Sequence, residues 1–356
     1  MLFDASHSWS GGANRVLLYS RELRSCGHTV VVGCLPGSEL ETRLKQEGIP
    51  VFTMNPRSDV NLFLVPEVIR LIREHDIDVI DINSPKFYWI AAIAGKLTGK
   101  SVIITRNVPF RKTGIKKYIN RILYYYLVDR IIAISDKIKR ELIADFEIDD
   151  IKIAVIYDGI DLSRFSRRDP DSGRSQNEYI SAGIISRLVN GKGLECLIDA
   201  IPEIIKAVPN INFVVCGTGV SEQSLKLQAQ NLNIANRITF LGFKDNIPEL
   251  LSGMDITIMP SPEEGMSMSA LESMASGVPV VATTGGGLVD IIADMENGVI
   301  VTPGNPRNLA EGAIRLLKAD YRKIGRAARG VVEEKFALKR VVSKYESLIN
   351  TLVVRR

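Results

Sequence analysis

The sequence predicts an α/β protein of two doubly wound parallel-sheet domains that face each other across a cleft. Three observations carry this. Short apolar, β-branched runs of about four to seven residues alternate with amphipathic segments of about 10 to 18 along most of the chain, the pattern of parallel strands joined by helices. A polar stretch without an apolar residue, Ser166–Glu178, interrupts the series near the middle and reads as a linker. The 356 residues, 46% hydrophobic, suffice to fill two cores of ordinary size.

In the first half, strands are expected near Met1–Asp4, Thr29–Cys34, Val51–Thr53, Asp78–Ile82, Val102–Thr105, Arg130–Ile134 and Ile153–Ile156, with helices between them. Gly11 and Gly12 open the first long helix. Without a Cβ there, backbone can approach a phosphate, although a tight strand-to-helix turn explains the pair equally well. Cys26, Cys34, Cys196 and Cys216 contain no Cys-x-x-Cys pair and lie in or beside apolar stretches, so reduced core thiols are expected, and with them a cytoplasmic location. The opening residues lack a basic region followed by an apolar run, and no stretch of about 18 uncharged apolar residues occurs. Neither secretion nor a membrane span is expected. A net charge of +4 without a recognisable module gives no reason to expect nucleic-acid binding.

Asp76-Ile-Asp78 is formally an Asp-x-Asp string of the kind that can hold a metal-bound diphosphate. It straddles a helix end and a strand start, far from the strand's carboxyl edge where ligands of such sheets bind, so no metal site is assigned. Arg106 and Asn107, at the carboxyl end of their strand, are expected to face the cleft. Between Arg106 and Glu141 stand ten basic residues against three acidic ones. Tyr118, Tyr124, Tyr125 and Tyr126 are interleaved with them, so the helix from Lys116 to Leu127 suits an anionic membrane surface or a phosphorylated lipid-linked acceptor. The alternative is a solvated basic face with the aromatics in the core.

After the linker, strands are expected near Ile180–Ile185, Asn212–Cys216, Ile238–Leu241, Asp255–Met259, Val278–Ala282 and Gly298–Val301. The first of these runs directly into Ser186-Arg-Leu-Val-Asn-Gly-Lys-Gly193. Arg187 and Lys192 in that loop are two fixed cations able to neutralise a diphosphate. Gly217-Thr-Gly219 misses the third glycine of a dinucleotide fingerprint, which disfavours a nicotinamide enzyme. The fourth strand ends at Pro260, and Glu264 and Glu272 follow, eight residues apart. Read as a helix beginning near Gly265, the segment sets one carboxylate beside a helix N-terminus and another about two turns on. Carboxylates accept from hydroxyls and a helix N-terminus holds phosphate, which together is the chemistry of a nucleotide-activated sugar.

The segment Glu264-Gly-Met-Ser-Met-Ser-Ala-Leu-Glu272 strongly resembles the Glu-x7-Glu signature of retaining glycosyltransferases of the GT-B fold, family four in particular, and the Arg187–Lys192 loop resembles that family's Arg-Leu-x-x-x-Lys-Gly motif. The family usually has Glu-Gly-Phe-Gly where this chain has Glu264-Gly265-Met266-Ser267, a departure that keeps the leading residues and alters the pocket wall. The resemblance covers nearly the whole chain. It implies two Rossmann-like domains, an acceptor-binding one over 1–165 and a nucleotide-sugar-binding one over 179–337, with a terminal helix over 338–356 crossing back to the first. It implies further that Arg187 and Lys192 hold the donor diphosphate, Glu264 the donor sugar, the backbone of Met266, Ser267 and Met268 the sugar and phosphate, and Glu272 the ribose, with Gly11 and Gly12 near the phosphate. The turn Asp158-Gly-Ile-Asp161 resembles the family's turn into the linker and is expected to be structural. Many relatives carry a histidine where this chain reads Asp81-Ile-Asn83 or Thr105-Arg106-Asn107, and this chain has none at either place; some relatives have an arginine there, so the resemblance implies that Arg106 and Asn107 contact sugar or acceptor.

The function expected from these residues is transfer of a hexose-type unit, with retention, from a nucleoside-diphosphate sugar to a glycan or lipid-linked acceptor, as in lipopolysaccharide or cell-surface polysaccharide synthesis. The nucleotide is expected to be UDP, with GDP as the fallback, and no cofactor or metal is called for. A peripheral place on the inner face of the membrane would suit the basic helix. Two rivals stay open at this point: a nucleotide-sugar epimerase of the same fold, and a non-catalytic donor-binding partner.

Overall fold

A computed structural model of the chain describes residues 1–56, 58, 61–107, 114–165 and 179–354, the side chains at 115 and 116 excepted. The expected linker Ser166–Glu178, Arg111, Lys112 and the side chain of Lys116 therefore lie outside the described residues. The chain divides into two compact units, Met1–Gly159 with Leu338–Arg356, and Ile160–Ala337. The first unit ends ahead of the boundary at 165 expected from composition. Ile160 donates its N–H to Phe336 O (2.7 Å), and Arg329 Nη1 donates to Phe165 O (3.0 Å), so these residues already belong to the second unit.

In the first unit, strands β1 (Leu2–Phe3), β2 (Val32–Cys34), β3 (Val51–Thr53), β4 (Val79–Ile82), β5 (Ser101–Arg106), β6 (Arg130–Ala133) and β7 (Ile153–Val155) form one parallel sheet in the order β3-β2-β1-β4-β5-β6-β7. All six residues of β5 are buried, as expected of an interior strand covered on both faces. Strand order reverses between β1 and β4, whose register pairs Leu2 with Asp81 and Phe3 with Ile82. The last helix, Leu338–Val354, is part of this unit's core: Leu338, Val341, Val342, Tyr345 and Leu352 pack with Val16, Leu17 and Tyr19 of helix Gly11–Ser25. Tyr345 also donates to Asp81 Oδ2 (3.0 Å), and His28 Nε2 lies 2.9 Å from Glu346 Oε1.

The second unit repeats the plan with β8 (Ile180–Ile185), β9 (Ile211–Cys216), β10 (Ile238–Phe240), β11 (Ile256–Met259), β12 (Val280–Thr283) and β13 (Val299–Val301), ordered β10-β9-β8-β11-β12-β13. All pairs are parallel, and the order reverses between β8 and β11. Every expected strand is present; the largest shift is at β2, which starts at Val32 rather than Thr29. Ligands of doubly wound sheets bind beyond the carboxyl ends of the strands where the order reverses. The loops after β1 and β4 in one unit, and after β8 and β11 in the other, are therefore where sites belong.

Candidate functional site

In the second unit, the loops after β8 and β11 meet. Lys192 Nζ lies 2.9 Å from Glu264 Oε1, and the two side chains keep 19% and 25% of their exposure. Gly193 allows this approach. It takes a left-handed conformation (φ +70°) at the start of helix Leu194–Ala207, and a Cβ there would stand 2.2 Å from the carbonyl oxygen of Pro260. Gly285 is equally constrained, since its Cβ would stand 1.7 Å from Pro262 O. Its own carbonyl accepts from Glu264 N–H (3.3 Å), and Gly287 N–H donates to Gly265 O (2.9 Å). Three loops thus hold the Glu264 carboxylate in place.

The helix after this loop begins at Met268, not near Gly265. Ser267 is its cap: extended (φ −86°, ψ 106°), it accepts from Ala270 N–H through Oγ (3.4 Å). The preceding residues are drawn off by the pairing with the Gly285–Gly287 loop, which is why the helix starts late. Glu264 consequently sits ahead of the cap residue rather than beside the first free N–H groups, and Glu272 lies about one turn in instead of two. Met266 is buried, while Ser267 and Glu264 line a small cavity with Met259, Ser261, Thr283 and Gly286. Ser261, Thr283 and Gly286 are pocket residues the sequence reading missed. Their one signal was position, at or just beyond the carboxyl ends of β11 and β12. Glu272 is partly buried with Arg164 nearby; burial pushes its carboxyl up to about 7, and the Arg164 charge opposes the shift. Arg187 is exposed at the end of β8, with no ion-pair partner among the described residues.

In the first unit, Gly11 and Gly12 do begin helix Gly11–Ser25, capped by Ser10 Oγ, which accepts from Ala13 N–H (3.2 Å). A Cβ on Gly12 would lie 3.3 Å from Asn107 Nδ2 and 3.4 Å from Asp4 Oδ2. Asn107 Nδ2 donates to Asn83 O (3.2 Å), so four strand-end and helix-start residues converge at the β1/β4 reversal. Asp4 and Asn83 were not anticipated as site residues. Arg106 is corrected: only 3% exposed, it directs its guanidinium against Tyr88 and Tyr124 inside the unit. It is the last residue of β5, where side chains alternate between faces, and its neighbour Asn107 is the one at the rim.

The basic, aromatic helix divides between the two readings it allowed. Tyr124 is fully buried against Phe146, whereas Tyr118 (66% exposed), Tyr126 (72%), Ile119 and Ile122 face outward. Residues Leu123–Leu127 form a π-helical turn, which gives this run of tyrosines its mixed orientation. Cys34 and Cys216 are buried as expected, but Cys26, just past a helix end, is exposed. Asp158 is structural, paired with Arg15 at 3.1 Å with both side chains buried. Asp76 and Asp78 face Lys100 at the start of β4 (3.9 and 3.4 Å). Among the described residues no cluster of three or more His, Cys, Asp or Glu is arranged to hold a metal, and no helix is long and apolar enough to cross a membrane.

Two family models account for the chain in succession: Glycosyltransferase Family 4 over residues 9–164 and Glycosyl transferases group 1 over residues 166–331. The chain belongs to glycosyltransferase family four. An uncharacterized glycosyltransferase of Methanocaldococcus jannaschii is 34% identical over 53% of this chain, and the match spans about half (50%) of that relative's length. The UDP-Gal:alpha-D-GlcNAc-diphosphoundecaprenol alpha-1,3-galactosyltransferase of Escherichia coli is 23% identical over 81% of this chain and 79% of its own. Among solved structures, Anabaena HepE in complex with UDP and glucose superposes with a TM-score of 0.86 over 98% of both chains at 23% identity. That likeness shows the fold, which is GT-B.

The candidate residues of this family-four chain therefore divide between two sheets. Arg187, Lys192, Glu264, Met266, Ser267, Met268 and Glu272 belong to the second unit, and Gly11, Gly12 and Asn107 to the first. In the second unit a cation and a carboxylate compensate each other at the reversal point, and the loop that carries this cation holds a second, exposed one, Arg187. Such a set can exchange internal partners for the phosphates and hydroxyls of a ligand.

Proposed function

We propose that the protein transfers a hexose-type sugar from a UDP-sugar to a glycan or lipid-linked acceptor, with retention at the anomeric carbon. The observation that carries this reading is the Lys192–Glu264 pair at the strand-order reversal of the second sheet. When the donor arrives, the Lys192 ammonium turns with Arg187 to the diphosphate and stabilises the charge that grows on it as the glycosidic bond breaks. Glu264, released from Lys192, accepts from sugar hydroxyls. The backbone of Met266, Ser267 and Met268 meets sugar and phosphate, and Glu272 accepts from the ribose. The acceptor attacks on the face the diphosphate leaves, and a phosphate oxygen takes its proton, so no protein nucleophile is needed. Two fixed cations make a divalent metal unnecessary.

The names of similar proteins support this choice of substrates: HepE was crystallised with UDP and glucose, and the Escherichia coli relative is named for a UDP-sugar and a lipid-linked acceptor. The outward-facing Tyr118, Ile122 and Tyr126, beside Lys117 and Arg121, suit a peripheral seat on an anionic membrane where such an acceptor is presented. Calorimetry tests the donor assignment. UDP should bind in EDTA with the same affinity as in magnesium, and binding that requires magnesium would refute the metal-free reading.

A further inference from the structure

Arg329 Nη1 donates to two carbonyl oxygens that lie far apart in the chain, Phe165 O (3.0 Å) and Ala275 O (2.5 Å), while its Nε donates to Glu333 Oε1 (2.7 Å). Its side chain keeps only 13% of its exposure. Ala275 ends helix Met268–Ala275, the one that carries Glu272, and a cation there satisfies one of the carbonyls a helix end leaves without an internal partner and complements its negative pole. Helix Tyr321–Lys335, which carries Arg329, is fixed against that same end, since a Cβ on Gly325 would stand 2.1 Å from Gly277 O. The guanidinium therefore has a set position.

Phe165 is buried and closes the short turn Leu162–Arg164, in which Ser163 N–H donates to Asp161 Oδ1, Arg164 N–H to Asp161 O and Phe165 N–H to Leu162 O, each at 3.1 Å. Arg164 is thus firmly joined to the carbonyl that Arg329 holds. Bound to one nitrogen, the carbonyls of Phe165 and Ala275 are brought together, and Glu272 stands only about 4.5 Å along the axis before Ala275, on the same face of its helix. An arginine side chain covers that distance. Arg164 is the charge that opposes the effect of burial on Glu272. Other charged groups on the elements around this helix are engaged elsewhere: Arg329 with Glu333, Lys192 with Glu264 (2.9 Å), and Glu249 of helix Ile247–Ser252 with Asn246 Nδ2 (2.7 Å), while β11 and β12 carry no charged residue.

We propose that Arg329 is a positioning residue for the ribose contact: by clasping Phe165 to the end of helix Met268–Ala275, it holds the Arg164 charge beside the Glu272 carboxylate. Arg329 acts on the ligand only through these two residues. Without the clasp the turn that carries Arg164 loses its anchor on the helix, and Glu272 keeps its proton to higher pH. The consequence for donor binding rests on the ribose contact in the reading above, whereas the effect on Glu272 itself does not.

Two measurements on the full chain test the clasp. Carbon-13 NMR of the side-chain carboxyls, with the Glu272 signal assigned by its loss in Glu272→Gln, reads the titration midpoint of Glu272 without ligand. Arg164→Gln, an exposed change, should move that midpoint upward by about half a pH unit, since a nearby opposite charge favours the ionised form and solvent weakens the effect. Arg329→Met should move it equally, and should move it no further in the Arg164→Gln background. Arg329→Lys keeps a cation at the helix end and so the fold, but without the guanidinium fork it cannot hold both carbonyls and Glu333 at once, and should move the midpoint the same way by less. Calorimetry gives the second readout. At about pH 7 the Arg164 and Arg329 variants should bind UDP about twofold more weakly than wild type, and at about pH 8.5, where Glu272 is ionised in all of them, equally well. A midpoint unmoved in Arg329→Met, or in Arg329→Lys where the methionine variant does not fold, would overturn the clasp. So would a full further shift in the Arg164→Gln background, or UDP binding weakened to the same extent at every pH, which is what a merely structural role produces. A moved midpoint together with a pH dependence of UDP affinity that Glu272→Gln leaves unchanged upholds the clasp and removes the ribose contact instead.

Discussion

Lys192 Nζ and Glu264 Oε1 stand 2.9 Å apart across 72 residues of sequence, joining the loop after β8 to the loop after β11. Each is the other's counter-ion before any ligand arrives. With both side chains about one-fifth to one-quarter exposed, the pair is neither fully solvated nor sealed, so a polyanion can enter and take the lysine.

Removing either partner should depress turnover more than donor affinity, because contacts to the leaving diphosphate and to the sugar strengthen as the bond breaks. Lys192→Ala and Glu264→Ala are each expected to lower kcat by about 10²- to 10³-fold, the usual loss for one preorganised group. The double variant should be far less than multiplicative, since each single change also strands the other charge. Turnover of a UDP-sugar panel measures this, and normal kcat in both folded single variants would take the pair out of the reaction.

On the proposed contact with the ribose, Glu272 should make donor binding pH-dependent. Its carboxyl is raised to about 7 by burial, so below that value it holds a proton and accepts poorly from ribose hydroxyls. UDP affinity should therefore rise about tenfold between about pH 6 and about pH 8, the scale of one charge-assisted bond. For stability the sign is opposite. The folded state keeps this proton where the unfolded chain has lost it, so the carboxyl's contribution falls as pH climbs from about 4.5 to about 7. Glu272→Gln should flatten both curves in calorimetry and thermal melts; a pH slope that survives the substitution belongs to another group.

Arg106 should behave as a core residue. Arg106→Ala strands Tyr88 and Tyr124 in the interior and is expected to cost about 2 kcal/mol or more, several degrees of Tm. Asn107→Ala, at the rim, should melt within a degree or two of wild type, as most changes away from the core do. Equal melts for the two variants would return Arg106 to the ligand-contacting set.

The outward tyrosines predict attachment to anionic vesicles. Co-sedimentation should fall when Tyr118, Ile122 and Tyr126 are changed together to serine, and also when Lys112, Lys116 and Lys117 lose their charge. Only the second loss should be mimicked by raising salt, because at about 0.15 M the screening length is about 8 Å. Equal binding to neutral and anionic vesicles would leave a water-soluble acceptor as the better reading.

Strand positions were legible because a parallel sheet covered on both faces demands continuous apolar runs, and Ser101–Arg106 or Ile180–Ile185 could be little else. The placement of Lys192, Glu264 and Glu272 was legible for a different reason. They follow strand ends at motif spacing, so chain connectivity alone brings them to the carboxyl edge. Where the helix after Glu264 starts was not legible, since Ser267 becomes its cap only because the Gly285–Gly287 loop claims the residues before it.

By itself the sequence determined the two-sheet architecture, the family and the chemical character of the second unit's loops, all of which depend on local pattern and spacing. The tertiary structure alone decided that Lys192 closes on Glu264, that Arg106 turns inward to Tyr88 and Tyr124, and that Asn83 is buried with its amide unpaired. The physical reason is that burial and pairing are set by residues distant in the chain. Whether a polar side chain at a strand end meets solvent, a counter-ion or nothing depends on which loops the strand order brings beside it, and no window of sequence contains that information.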